Sequence, residues 1–174
     1  ADQVKAIVNA NAASTIISKL GSTNTDWQNQ IYQNAIGTDN NLSVSGGIKN
    51  MPYRLSFGYL NQNGILKTGN LERTSLGLTL NPVLLDNHLK IDINVKGTFS
   101  KSRFANEGAI GSAVNFDPTQ AVTTNSARYG GYWEWLNANN FASTGLETLA
   151  PKNPLGQLLQ RDDRSNVQRS IGNA

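Results

Sequence analysis

Leu89-Lys-Ile-Asp-Ile-Asn-Val-Lys-Gly-Thr-Phe-Ser100 alternates apolar and polar residues more strictly than any other stretch of this sequence. Leu89, Ile91, Ile93, Val95 and Phe99 fall on one side, and Lys90, Asp92, Asn94, Lys96, Thr98 and Ser100 on the other. Successive side chains of an extended chain point to opposite faces, so a period of two predicts a strand with one apolar face. Working outward, the same period recurs three times upstream. Leu42, Val44, Gly46 and Ile48 alternate with polar residues over Asn41–Lys49. Tyr53, Leu55, Phe57 and Tyr59 do so with Arg54, Ser56 and Gly58, and Leu76, Leu78 and Leu80 with Ser75, Gly77, Thr79 and Asn81. A fifth run starts near Asn166 and covers Val167 to Ala174. The fold class predicted is all-β, an antiparallel meander.

Composition narrows the class. Charged residues make up 16% and hydrophobic residues 38% of the chain, both below what a water-soluble domain usually carries. Asn, Ser, Thr, Gln and Gly fill the gap, which suits a sheet with neutral polar residues on one face and long polar loops. The net charge of +3 is spread thinly, so nucleic acid is not an expected partner. With no cysteine, neither a disulfide framework nor a thiolate metal site is available. Nothing approaches 18 consecutive apolar residues, which excludes a transmembrane helix but not a membrane-spanning strand of about ten residues.

Alternation leaves open which face meets water. In a sandwich the apolar face would cover a second sheet; in a membrane barrel it would meet lipid. Two features favour the barrel. The strands are long, and connections read as alternately short (Asn50–Pro52, Leu85–His88) and long (Asn61–Asn70, Ser102–Arg164), the asymmetry of outer-membrane barrels. Five strands cannot close such a barrel, whose smallest single-chain forms have about eight. The expectation is therefore a piece of a larger barrel, with short helices in its loops.

Outside the strands, Val4, Ile7, Val8, Ile16, Ile17 and Leu20 recur at helical spacing, predicting a helix over 1–20 that Gly21 ends. Asp26 reads as the N-cap of a short helix over Trp27–Gln33. The expected layout is an outer loop with helical segments over 1–38, strands with short turns over 39–101, a long outer loop over 102–164, and the next strand from 165 to 174.

The search for chemistry yields little. His88 is the single histidine and falls in a predicted turn, with no nucleophile or carboxylate pattern around it. Asp162-Asp163 lies between Arg161 and Arg164, a sequence that predicts solvated ion pairs rather than paired catalytic carboxylates. No catalytic set, metal site or cofactor is implied. The most suggestive stretch is Tyr129-Gly-Gly-Tyr-Trp-Glu-Trp135. Tyr129, Tyr132, Trp133 and Trp135 are candidates for a stacking surface on a sugar or other flat ligand. Equally, they are candidates for a mini-core that gives a long loop one shape, or for anchors of a protein interface.

Several ordered segments resemble one family. They are Thr25-Asp-Trp-Gln28, Ile31-Tyr32, Asn41-Leu-Ser-Val-Ser-Gly-Gly47, Leu55-Ser-Phe-Gly-Tyr-Leu-Asn-Gln-Asn-Gly-Ile-Leu66, Leu71-Glu-Arg-Thr74, Phe116-Asp-Pro-Thr-Gln120, Asn153-Pro154 and Arg161-Asp-Asp-Arg-Ser-Asn166. Together they resemble the SusC-like TonB-dependent outer-membrane transporters, near the early strands of the barrel. The resemblance implies a large plugged transmembrane barrel that imports oligosaccharides, sometimes peptides. Its implied partners are a SusD-like surface lipoprotein, the TonB complex acting through other regions, and outer-membrane lipid. The alternative is a soluble all-β carbohydrate-binding or adhesin-like module using Trp133 and Trp135 for sugar.

Overall fold

The computed structural model describes residues 2–11, 19–86, 88–136 and 145–174. The strands in chain order are β1 (Gly37–Ile48), β2 (Met51–Asn63), β3 (Asn70–Leu80), β4 (Val83–Leu84), β5 (Leu89–Lys90), β6 (Ile93–Phe104) and β7 (Asp163–Asn173). Five of them form one antiparallel sheet in the order β1-β2-β3-β6-β7, while β4 and β5 pair as a separate small hairpin. The helices are α1 (Asp2–Asn11), α2 (Trp27–Ile31), α3 (Gly108–Asn115) and α4 (Pro154–Leu159), with a 3-10 turn at Arg128–Gly131. A mostly antiparallel sheet with few helices is the all-β class expected. The sheet is open, with β1 and β7 as its edges.

The chain divides into two compact units. The first joins residues 1–33 to 105–161, and the second comprises residues 34–104 and 162–174. Thus the bulk of the two segments expected as separate loops shares one unit.

Within the second unit, register confirms the alternation. Val44, Leu55, Leu78 and Val95 pair in a continuous cross-strand row, and Leu42, Phe57 and Leu76 lie in the next. On the other face Ser43, Ser56, Gly77 and Lys96 form a matching polar row. None of the five strands contains a buried residue. Val44 is 52% exposed, Leu55 51% and Val95 45%, so this apolar face has nothing packed on it. A soluble domain covers such a face to gain the free energy of burial.

Several boundaries differ from the sequence reading. The first turn is Lys49-Asn50, not Asn50–Pro52; Lys49 takes the left-handed φ of 52° and Met51 and Pro52 already pair with β1. The loop expected over Asn61–Asn70 shrinks to residues 64–69, because Asn61, Gln62 and Asn63 continue pairing with Glu72, Leu71 and Asn70. The run Leu89–Ser100 is not one strand. It breaks at Ile91-Asp92, where Ile91 N–H donates to the Pro82 carbonyl at 3.1 Å and Asn81 Nδ2 donates to Asp92 Oδ1. These bonds close off the β4–β5 hairpin before Ile93 resumes pairing with Leu80. The predicted short turn at Leu85–His88 is therefore the tip of a longer excursion, of which Asn87 lies outside the described residues. With one long loop shortened and one short turn lengthened, the length contrast between the sheet's two ends rests chiefly on residues 105–162.

β7 begins at Asp163, before the Asn166 expected, and its register overturns the simple two-face picture. Val167 pairs with Ser100 and Ile171 with Lys96, which puts both apolar residues on the polar face. Gln168, Ser170 and Gly172 take the face of Phe99, Gly97 and Val95.

At the amino end, helix is present over Asp2–Asn11. The part of the predicted helix containing Ile16 and Ile17 lies outside the described residues, as do residues 137–144 of the long loop. Asp26 caps α2 as expected, its carboxylate accepting from Asn29 N–H at 3.1 Å, although the helix ends at Ile31.

Candidate functional site

The first unit holds most of the residues that are buried, and it is built around a polar clasp. Residues 19–27 lie along residues 117–120. Thr23 N–H and Oγ1 donate to the Thr119 carbonyl at 3.1 and 2.7 Å, and Thr25 N–H donates to the Pro118 carbonyl at 2.8 Å. Thr25 Oγ1 donates to the Gln120 carbonyl at 2.6 Å, and Gln120 Nε2 to the Lys19 carbonyl at 2.9 Å. Gly21 N–H donates to Thr119 Oγ1 at 2.9 Å. A Cβ on Gly21 would run into the Thr119 carbonyl, so glycine is needed here for close approach, a different demand from the helix stop read in the sequence. Thr119 and Gln120 are buried, and these bonds supply the partners that burial requires.

From this clasp an aromatic ladder runs into the candidate segment. Trp27 Nε1 donates to the Asp117 carbonyl at 2.9 Å, and its ring meets Phe116 at 4.6 Å between centroids, edge to face. Phe116 meets Trp133 at 5.8 Å, and Trp133 meets Trp135 at 4.7 Å, both nearly perpendicular. Such edge-to-face pairs place the positive ring edge over the negative face. Ile31, Ala109, Ala113 and Leu158 complete the small core.

The backbone of Tyr132–Leu136 is held from both sides. Trp133 N–H donates to the Val122 carbonyl at 3.2 Å, and the Trp135 carbonyl accepts from Glu147 N–H at 2.8 Å. Asn153, fully buried, locks the arrangement. Its Nδ2 donates to the Val122 and Trp133 carbonyls at 2.9 and 3.0 Å, while its Oδ1 caps α4 by accepting from Gly156 N–H at 3.0 Å. The Asn153 N–H in turn donates to the Glu134 carboxylate at 3.1 Å. Burial of Glu134 pushes its pKa above the usual carboxylate value, a rise partly offset by the Asn153 bond and by the positive charge of Lys152.

All four candidate aromatics are half-buried. Trp133 and Trp135 are brought together in the ladder. Tyr132 packs its ring over Gly156, where an added Cβ would come within 3.1 Å of it. Tyr129 stands apart in the 3-10 turn with φ 50°, its carbonyl accepting from Gln160 Nε2 at 2.6 Å. The mini-core role weighed for these residues is present. An open platform is not, because each ring spends much of its surface on packing.

Elsewhere, His88 sits in an exposed turn, its Nδ1 2.8 Å from the Leu85 carbonyl. Asp162 pairs with Arg103 at 3.3 Å and Arg164 at 2.7 Å, the surface ion-pair cluster expected there. Among the described residues no group of His, Cys, Asp or Glu is placed to hold a metal. Sequence reasoning missed the Asn153 hub. Asn followed by Pro154 is an N-cap and N1 signal that marks the start of α4, but nothing in it reveals the reach to Val122 and Trp133.

No family model matches the chain. Individual relatives do. The TonB-dependent receptor SusC of Bacteroides thetaiotaomicron is 39% identical over 181 aligned residues, covering 99% of this chain and 18% of that protein. Two TonB-dependent receptors of Formosa agariphila align less fully. One is 36% identical over 77 residues (44% of this chain, 8% of that protein), the other 27% over 128 residues (72% and 13%). The chain thus spans under a fifth of the length of each relative. Along that stretch it has the sequence of a TonB-dependent receptor. Since almost every residue aligns with SusC, the chain belongs with the SusC-like receptors.

Proposed function

We propose that this chain contributes wall strands and outside loops to an outer-membrane TonB-dependent receptor that imports oligosaccharides, or peptides, with a SusD-like lipoprotein. The observation that carries this reading is a sheet of long strands with no buried residue and an uncovered apolar face. In a membrane barrel that face needs no second sheet, since lipid covers it. The apolar rows run from Met51 to Tyr59 on β2, about 27 Å of strand at ~3.4 Å per residue, which a tilt of about 40° reduces to about 20 Å. That is close to the ~25 Å apolar band of such barrels. Beyond it the same face turns polar, with Asn61, Glu72, Lys101 and Asn166 in one row.

Within this reading the loop unit carries the recognition surface. Trp133, Trp135, Tyr132 and Tyr129 offer a sugar ring what packing leaves of their faces, fixed in place by the ladder and by Asn153. TonB acts on the receptor through regions other than this stretch.

The test uses the full-length receptor in membranes. This stretch has no cysteine, so single cysteines at Leu78 and Val95, or at Ser56 and Thr98, can be spin-labelled one at a time. Labels at Leu78 and Val95 should be accessible to oxygen dissolved in lipid and shielded from a water-soluble nickel complex. Labels at Ser56 and Thr98 should show the reverse. Nickel access at Leu78 and Val95 equal to that at Ser56 would sink the wall assignment.

A further inference from the structure

The polar face of the sheet carries a charge pattern that the wall role does not require. Three consecutive cross-strand rows, from that of Asn41 to that of Ser45, contain three cations, Arg54, Lys96 and Arg169, and no carboxylate. The acids of this face, Asp39 and Asp163, lie farther along, toward the end from which the chain leaves for residues 105–161. Among the described residues no carboxylate lies within ion-pair distance of Arg54 or Lys96.

Arg54 and Lys96 line an open depression of about 450 Å³. They sit two strands and one row apart, roughly 12 Å between Cα atoms from strand spacing and rise, within reach of one ligand. Small residues form the floor between them. A Cβ on Gly77 would lie 2.5 Å from Ser56 Oγ, and one on Gly58 2.7 Å from Asn41 Oδ1. Glycine at both positions therefore lets these polar side chains lie across the sheet and keeps the floor low. Ser56, Ser75 and Thr98 add hydroxyls that both donate and accept.

We infer that this depression binds an acidic oligosaccharide, one bearing carboxylates, as a station on the receptor's inner wall. The inference rests on the transporter reading and adds a substrate class to it. Arg54 and Lys96 take the carboxylates, Arg through its planar fork and Lys as a point charge. The hydroxyl floor takes sugar hydroxyls. Cations of one sign in a depression reinforce each other's field and raise the local concentration of an anion. An acidic peptide would bring the same charge but would leave the hydroxyl floor with few partners.

Calorimetric titration of the purified full-length receptor tests this with three probes of matched length: tetragalacturonate, neutral maltotetraose and tetraglutamate. The wild type should bind tetragalacturonate most tightly, with an advantage that shrinks as salt is raised. The double variant Arg54→Gln, Lys96→Gln should lose about tenfold for tetragalacturonate, the scale of one charge-assisted contact, and keep its affinity for maltotetraose. The charge-preserving pair Arg54→Lys, Lys96→Arg should retain acid binding within a few-fold, which separates lost charge from damaged folding. Tighter binding of tetraglutamate, no binding of tetragalacturonate by the wild type, or equal affinities in wild type and double variant would each overturn the inference. A receptor whose Leu78 label sits in lipid while the acid probe is ignored keeps the transporter reading and loses this one.

Discussion

The sheet and the loop unit are stabilised by opposite means. Every strand of the sheet pairs with a neighbour, yet its strands bury no residue. In the loop unit short helices and irregular backbone enclose Trp27, Ile31, Phe116 and Leu158 and satisfy buried polar groups one by one. The first arrangement derives order from repeated local hydrogen bonds and leaves its apolar side to the surroundings. The second is a miniature globular core that depends on single side chains. Damage should therefore spread differently in the two.

The sharpest test of that contrast is Asn153→Ala. It removes two hydrogen bonds to otherwise buried carbonyls and one helix cap, for a cost of about 3–5 kcal/mol. Hydrogen exchange on the full-length receptor should show lost protection around residues 122–135 and 153–160, with β2 and β3 unchanged. An equal loss in the sheet would mean the two units are not independent in stability.

Next in size is a charge placed on the apolar face. Leu78→Arg, in the middle of the apolar rows, should cost about 2–4 kcal/mol in a membrane-folded receptor, and Thr79→Arg on the other face far less. Ile93 is a weaker probe than its sequence suggests. It opens β6 beside Leu80, at the margin of the band, where arginine costs about 0–1 kcal/mol. Refolding titrations into lipid vesicles measure all three, and equal costs at Leu78 and Thr79 would break the two-face description.

The smallest effect concerns pH in the loop unit. Glu134 has a folded pKa raised by burial, so the folded state holds its proton more tightly than the unfolded state does. Folding is therefore penalised above the folded pKa, and the penalty is relieved as pH falls toward the unfolded value. Glu134→Gln should make the loop unit slightly more resistant to proteolysis at neutral pH, with wild type and variant converging in acid. Greater resistance of the wild type at neutral pH would show that the Asn153 bond outweighs burial.

Legibility in the sequence follows the same divide. The strands could be read because pairing imposes a period of two on neighbouring residues, and Asp26 because a cap acts three residues away. The break at Ile91-Asp92 was hidden, since the alternation runs straight through it and the bonds that interrupt the strand come from Asn81 and Pro82. The turning of β7 was hidden too, because alternation fixes two faces without saying which one joins Phe99. The loop unit was least legible. Phe116-Asp-Pro-Thr-Gln120 stood out by resemblance, but its partners lie 90 to 101 residues away along the chain. The aromatic run at Tyr129–Trp135 announced importance without distinguishing packing from binding.

That separation has a consequence for how the protein comes to be folded. Joining ends some 90 to 100 residues apart in a flexible chain is entropically costly and slow. Here the intervening residues fold into β1, β2, β3 and β6, by hairpins and one short excursion. Once they have paired, Gly37 and Phe104 lie at the same end of the sheet, three strands apart, about 14 Å across. The remaining gap is spanned by only a few residues on either side. Helix α2 and the clasp at Thr119 should thus form late, after the meander, and substitutions in the β1–β2 turn should slow their assembly without touching any of their contacts.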